Sequence, residues 1–166
     1  MKKRIIIILA ALAILSGCAA KPATEATEAT EAPGQMQIGN PWRDYDTLAD
    51  AENACGLVFP VPEDVPSGYA AESYRVMNNS LLEVRYRNGE SEITVRMQDG
   101  DDEDISGIYE NFTAVEITDR NGSAVTRKEA ADCIVYLVRN NGCSFSVCVT
   151  GAAPESMCDE ILSHIC

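Results

Sequence analysis

Apolar residues run without a break from Ile5 to Leu15, whereas beyond Trp42 they alternate with polar ones or recur at helical spacing. The unbroken block has 11 residues, about half of the roughly 20 that a membrane-spanning helix needs. It follows the cationic start Lys2-Lys3-Arg4, which is the layout of a secretory signal. Ala19 to Gln35 then offers no aromatic or large aliphatic side chain to bury: Thr24-Glu25-Ala26 recurs as Thr27-Glu28-Ala29 and Thr30-Glu31-Ala32, closed by Pro33-Gly34. Such a segment cannot offset the entropy lost on ordering it, so a solvated tether is expected over residues 18–35. Residues 36–166 are expected to form one domain, of ordinary size for a single core.

Within that domain the spacing predicts a helix, a run of hairpins and a second helix. The first helix begins at Thr47, where Asp50 three residues on resembles a capping box, and Gly56 stands where a left-handed C-terminal cap belongs. Its apolar positions are Leu48, Ala51 and Cys55. Val58-Phe59-Pro60-Val61-Pro62 and Val65-Pro66-Ser67-Gly68-Tyr69 read as an extended, proline-stiffened connector at a sheet edge. After it the period is two. A two-residue turn at Asn88-Gly89 sets Arg87 opposite Glu90, Arg85 opposite Glu92, Val84 opposite Ile93 and Leu82 opposite Val95. The same construction at Asn141-Gly142 opposes Val138 to Phe145, Tyr136 to Val147, Ile134 to Val149 and Cys133 to Thr150, leaving Ser144 and Ser146 on the other face. Asn121-Gly122 places Glu116 opposite Arg127. A three-residue loop at Asn78-Asn79-Ser80 pairs Val76 with Leu82, Tyr74 with Val84 and Arg75 with Glu83. The expected fold class is α+β: an antiparallel meander sheet of about six to seven strands, with the N-terminal helix and a C-terminal helix packed on it. The C-terminal helix starts from Pro154 and buries Met157, Ile161, Leu162 and Ile165.

Two resemblances set the location. Leu15-Ser16-Gly17-Cys18 resembles the lipobox of bacterial lipoproteins at all four positions. It implies a signal peptide of residues 1–17, cleaved before Cys18, whose thiol then carries a thioether-linked lipid. That makes the membrane a partner through Cys18 and places the domain on the cell membrane, facing outside the cytoplasm. The second rests on Asn40-Pro41-Trp42, Thr47-Leu48-Ala49-Asp50-Ala51-Glu52, Pro62-Glu63-Asp64-Val65-Pro66-Ser67-Gly68-Tyr69, Leu82-Glu83-Val84-Arg85-Tyr86 and Asp104-Ile105-Ser106-Gly107. Together these look like a group of uncharacterised lipoproteins of anaerobic Gram-positive bacteria. Those are similar in turn to a domain of unknown function found in envelope lipoproteins and in anti-sigma-factor-like proteins. The resemblance implies an envelope-facing module for binding or sensing, and carries over no catalytic residue.

Charge and chemistry narrow the function further. The chain's net charge is −13, and loss of Lys2, Lys3 and Arg4 with the signal leaves 10 basic against 26 acidic side chains, or −16. Nucleic acid, bound through clustered Lys and Arg, is therefore not an expected partner. No catalytic residue, cofactor or metal site is expected. His164 is the only histidine and reads as a surface residue, Ser106 lacks a nucleophile elbow, and no phosphate-cradling glycine pattern occurs. In Asp99-Gly100-Asp101-Asp102-Glu103-Asp104 glycine falls second rather than sixth, although Glu110 occupies the twelfth position of a calcium loop. The match is partial, and a solvated acidic loop is the better reading. Six cysteines remain beside Cys18, namely Cys55, Cys133, Cys143, Cys148, Cys158 and Cys166. An even number in an exported domain favours disulfides, with fifteen full pairings open. The hairpin register makes Cys133 and Cys148 diagonal neighbours, roughly 7 Å apart or more and outside comfortable bridging range. A tethered, non-enzymatic module binding a small molecule, peptide or envelope partner is the favoured function. An envelope hydrolase and a purely structural envelope role are the alternatives.

Overall fold

The computed structural model describes residues 39–65, 68–102, 104–151 and 155–166. All belong to one compact unit, Ile38–Cys166. The segments expected to be signal and tether, with Cys18 and Met36, lie outside the described residues, as do Pro66, Ser67, Glu103 and Pro154. In chain order the elements are β1 (Trp42–Tyr45), α1 (Leu48–Cys55), β2 (Ala70–Met77), β3 (Leu81–Asn88), β4 (Ser91–Asp99), β5 (Ala114–Arg120), β6 (Ser123–Glu129), β7 (Cys133–Asn140), β8 (Cys143–Thr150) and α2 (Glu155–Ile165).

The fold is α+β, with one antiparallel sheet of eight strands rather than six to seven. The additional strand is β1, whose four residues are too few to display an alternation. The spatial order, β1-β2-β3-β4-β8-β7-β6-β5, also differs from a single meander. Two four-stranded meanders meet along β4 and β8, because the chain between β4 and β5 makes no hairpin turn and instead runs to the far edge of the sheet.

α1 is bounded as its sequence dictates. Thr47 is extended (φ −134°, ψ 154°), its hydroxyl oxygen accepts from the Asp50 amide at 3.2 Å, and Gly56 ends the helix at φ 73°. Glu52 then reaches forward to accept the Phe59 amide at 2.7 Å. The connector that follows is pinned to the core: Phe59, Val61, Val65 and Tyr69 are buried, and the Tyr86 hydroxyl donates to the Pro62 carbonyl at 2.9 Å. Asp64 bridges to Ala70 on the flank of β2 that β1 leaves open.

Three of the four hairpin registers agree with the expectation: β2 with β3, β5 with β6, and β7 with β8. The β3–β4 register does not. Arg87 faces Glu92, Arg85 faces Thr94, Val84 faces Val95 and Leu82 faces Met97, so the turn residues are Gly89 and Glu90 rather than Asn88 and Gly89. Gly89, at φ 61°, takes the first central position, where a type II′ turn places glycine. The displacement is two residues, which leaves every side chain on its expected face. Alternation alone is therefore blind to it.

One face of the sheet carries the core. Leu82, Val84, Tyr86, Ile93, Val95, Phe145 and Val147 meet Ala51 of α1 and Met157, Ile161, Leu162 and Ile165 of α2. All four of these α2 residues are buried, each worth roughly 1.5–3 kcal/mol relative to exposure. The reverse face is covered in part by residues 100–102 and 104–113. Ile108 and Phe112 pack there against Cys133, Val135, Leu137 and Cys148. That segment is pinned by polar contacts: Asp104 accepts from Lys128 at 2.8 Å and from the Ser106 hydroxyl at 2.6 Å, and Ser144 donates to the Gly100 carbonyl at 2.8 Å. Gly107, at φ 68°, passes so close to Arg96 that a Cβ would run into its guanidinium.

Candidate functional site

A concavity of about 760 Å³ opens where β7 begins and β8 ends, beside α2. Its size falls in the range of small-molecule sites. β6 contributes Arg127 and Glu129, the turn into β7 Ala130, Ala131 and Asp132, and β7 Cys133, Ile134 and Tyr136. β8 adds Val149 and Thr150, and α2 adds Cys158. The sheet fixes this arrangement, since Arg127 stands directly opposite Tyr136 and Ile134 opposite Val149. A polar wall thus faces an apolar floor.

The wall is electrostatically ordered. Arg127 pairs with Glu129 and lies within hydrogen-bonding reach of the Tyr136 hydroxyl, and both contacts hold the guanidinium protonated. Burial pushes the Tyr136 phenol above its ordinary value, against the opposing pull of Arg127; Cys158, also within hydrogen-bonding reach, adds to the rise. Burial likewise raises the Cys133 thiol. At neutral pH phenol and thiol are both protonated, the wrong state for a nucleophile but a suitable one for donating hydrogen bonds.

The residues singled out from the sequence are dispersed. Cys18 lies outside the described residues. His164 is exposed on α2, away from the cleft. Asp102 accepts from Gln98 at 2.6 Å and Asp104 is held by Lys128 and Ser106. No metal-holding group of His, Cys, Asp or Glu occurs among the described residues. Ser106 is buried and structural, donating to Asp104 and accepting from the Ile108 amide. The six cysteines of the domain are unbridged thiols. Cys133 and Cys148 are diagonal in register and touch through their thiols, and burial lifts Cys148 to about 12.

The comparisons with known proteins identify no relative. No protein-family model, curated protein or solved structure matches the chain. Among the described residues, no helix is long and apolar enough to cross a membrane.

The Arg127, Tyr136 and Cys158 grouping was not singled out from the sequence, where each looks like an ordinary strand or helix residue. The Glu116 to Arg127 pairing fixed the face of Arg127, and the β7–β8 register fixed that of Tyr136. Pairing β6 with β7 would have brought the two together.

Proposed function

We propose that this chain is a membrane-anchored lipoprotein, held outside the cytoplasm by lipid on Cys18, whose domain binds a small amphipathic molecule or peptide end without catalysing its conversion. The cleft at the β7–β8 end of the sheet carries the reading: an apolar floor of Ile134 and Val149 beside the Arg127, Glu129 and Tyr136 wall suits a ligand with a polar end and an apolar body. The upward-shifted Tyr136 and Cys133 favour binding over hydrolysis, which would need a deprotonated nucleophile or base there. The resemblance to envelope lipoproteins in the capping, proline-turn and strand segments supports the same location and class.

The amphipathic anion anilinonaphthalene sulfonate probes the cleft directly. Its emission is expected to rise saturably with the protein. Ala131→Trp, at an exposed residue of the cleft lining, should abolish that rise. Arg127→Gln should weaken binding about tenfold, or about 1.4 kcal/mol. If both variants keep the fold by circular dichroism and bind the dye as the unaltered chain does, the cleft is not the site.

A further inference from the structure

The reverse face of the sheet holds a second constellation, independent of the cleft. Glu83, with 0% exposure, lies opposite Arg75 on one side and Arg96 on the other. Its Oε1 accepts from Arg75 Nε and from Arg85 Nε, each at 2.9 Å, and its Oε2 accepts from Arg96 Nε at 2.8 Å. The side chains of Arg75 and Arg96 are only 20% and 17% exposed, and that of Arg85 is 34% exposed.

Three guanidinium groups thus share one carboxylate, leaving two positive charges in excess. No other ion pair to these arginines occurs among the described residues. The neighbouring acids are otherwise engaged: Glu92 with Arg87, Asp102 with Gln98, and Asp104 with Lys128 and Ser106. Asp44 stands opposite Arg75 in the β1–β2 register without pairing to it. Trp42 braces the group, its ring centroid 4.7 Å from Arg75 Cζ and 5.3 Å from Arg96 Cζ. Arg96 Nη1 is fixed by the Ile105 carbonyl at 3.1 Å. Next along the same row Ser146, 1% exposed, has a hydroxyl without a protein hydrogen-bond partner.

An excess of two partly hidden positive charges, on a domain that is otherwise strongly acidic, calls for a matching anion. We propose that the Arg75, Arg85 and Arg96 cluster around Glu83 is a binding site for a phosphate monoester or inorganic phosphate. Such a group carries about −1.5 to −2 in charge near neutral pH and accepts the forked donors of arginine. Glu83 spaces the three guanidinium groups, and Arg85, the most exposed of them, offers the donors that meet the ligand first.

Trp42 is the only tryptophan of the chain and touches two of the arginines, so its emission reports on the site. The full chain in phosphatidylcholine nanodiscs is titrated with inorganic phosphate, with sodium chloride holding the ionic strength constant. A saturable Trp42 shift is expected, with its midpoint moved at least tenfold by Arg85→Gln and unmoved by Arg139→Gln, an exposed arginine on the same face. A second arm uses discs containing phosphatidic acid and no free phosphate. A shift in that arm alone makes a lipid headgroup the ligand, whereas a shift with free phosphate makes the ligand soluble. No shift in either arm, an equal response to chloride, or an unaltered midpoint in Arg85→Gln would overturn the proposal and leave a purely structural ion-pair network.

Discussion

At the scale of single residues, Glu83 shows how a buried charge is kept charged. Burial by itself would raise its carboxyl, but hydrogen bonds from Arg75 and Arg96, together with their charges, prevail and hold it below the ordinary glutamate value. Asp104 behaves alike: burial pushes it up, and Lys128 and Ser106 pull it further down. Both folded values lie below the unfolded ones, so the stability they contribute is complete above about pH 4.3 and is lost as pH falls through the folded values. Stability measured by urea unfolding at fixed ionic strength is therefore expected to fall steeply below about pH 4.3. Glu83→Gln should flatten that decline and cost about 3–5 kcal/mol at neutral pH, because three partly buried cations lose their common partner. An acid decline identical in the two proteins would show that the stability does not run through this carboxyl.

At the scale of elements, the β3–β4 hairpin makes the most discriminating test. Arg87 bonds Glu92 at 2.7 Å across the strands, while Arg85 turns to Glu83. Arg87 is 47% exposed, so a double-mutant cycle reversing both charges should recover only about 0.2–1 kcal/mol of coupling. The same cycle on Arg85 and Glu92 should show none. Gly89→Val should cost more than either reversal, since its φ of 61° resists a β-branched side chain. Coupling at Arg85 rather than Arg87 in urea melts would restore the turn at Asn88-Gly89. The same hairpin marks how far the sequence could be read. Capping residues, turn glycines and the two-residue period announce α1, three hairpin registers and the buried face of α2, because each is a local device. A two-residue slip leaves all those signals intact, and what selects between the registers is contact with other strands. The four-residue β1 has the same difficulty, as its strand character comes from lying beside β2. The cleft and the guanidinium cluster lay further out of reach, since each gathers side chains from three or more elements.

At the scale of the whole molecule, the described domain is one compact unit, and the anchor proposed at Cys18 has a test of its own. Cys18→Ser is expected to abolish incorporation of an alkyne-tagged fatty acid and to leave a longer, uncleaved precursor on gels. Label retained by this variant would remove the lipoprotein assignment while leaving the cleft and the reverse-face cluster to their own tests.

The seam between β4 and β8 governs the order in which the sheet can be completed. Partners across it are 44 to 58 residues apart in the chain, from Asp99 with Cys143 to Glu92 with Thr150. Closing that loop comes at an entropic cost that the tight hairpins avoid, which makes it the natural rate-limiting event of folding. Because β8 emerges almost last, β4 and β7 each present an open edge to the surroundings until then, with Ile93, Val95 and Met97 on one and Val135 and Val138 on the other. A chain interrupted before Cys143 would keep both edges and be prone to pairing with its neighbours, so the final 24 residues of the sequence are what render the earlier strands safe.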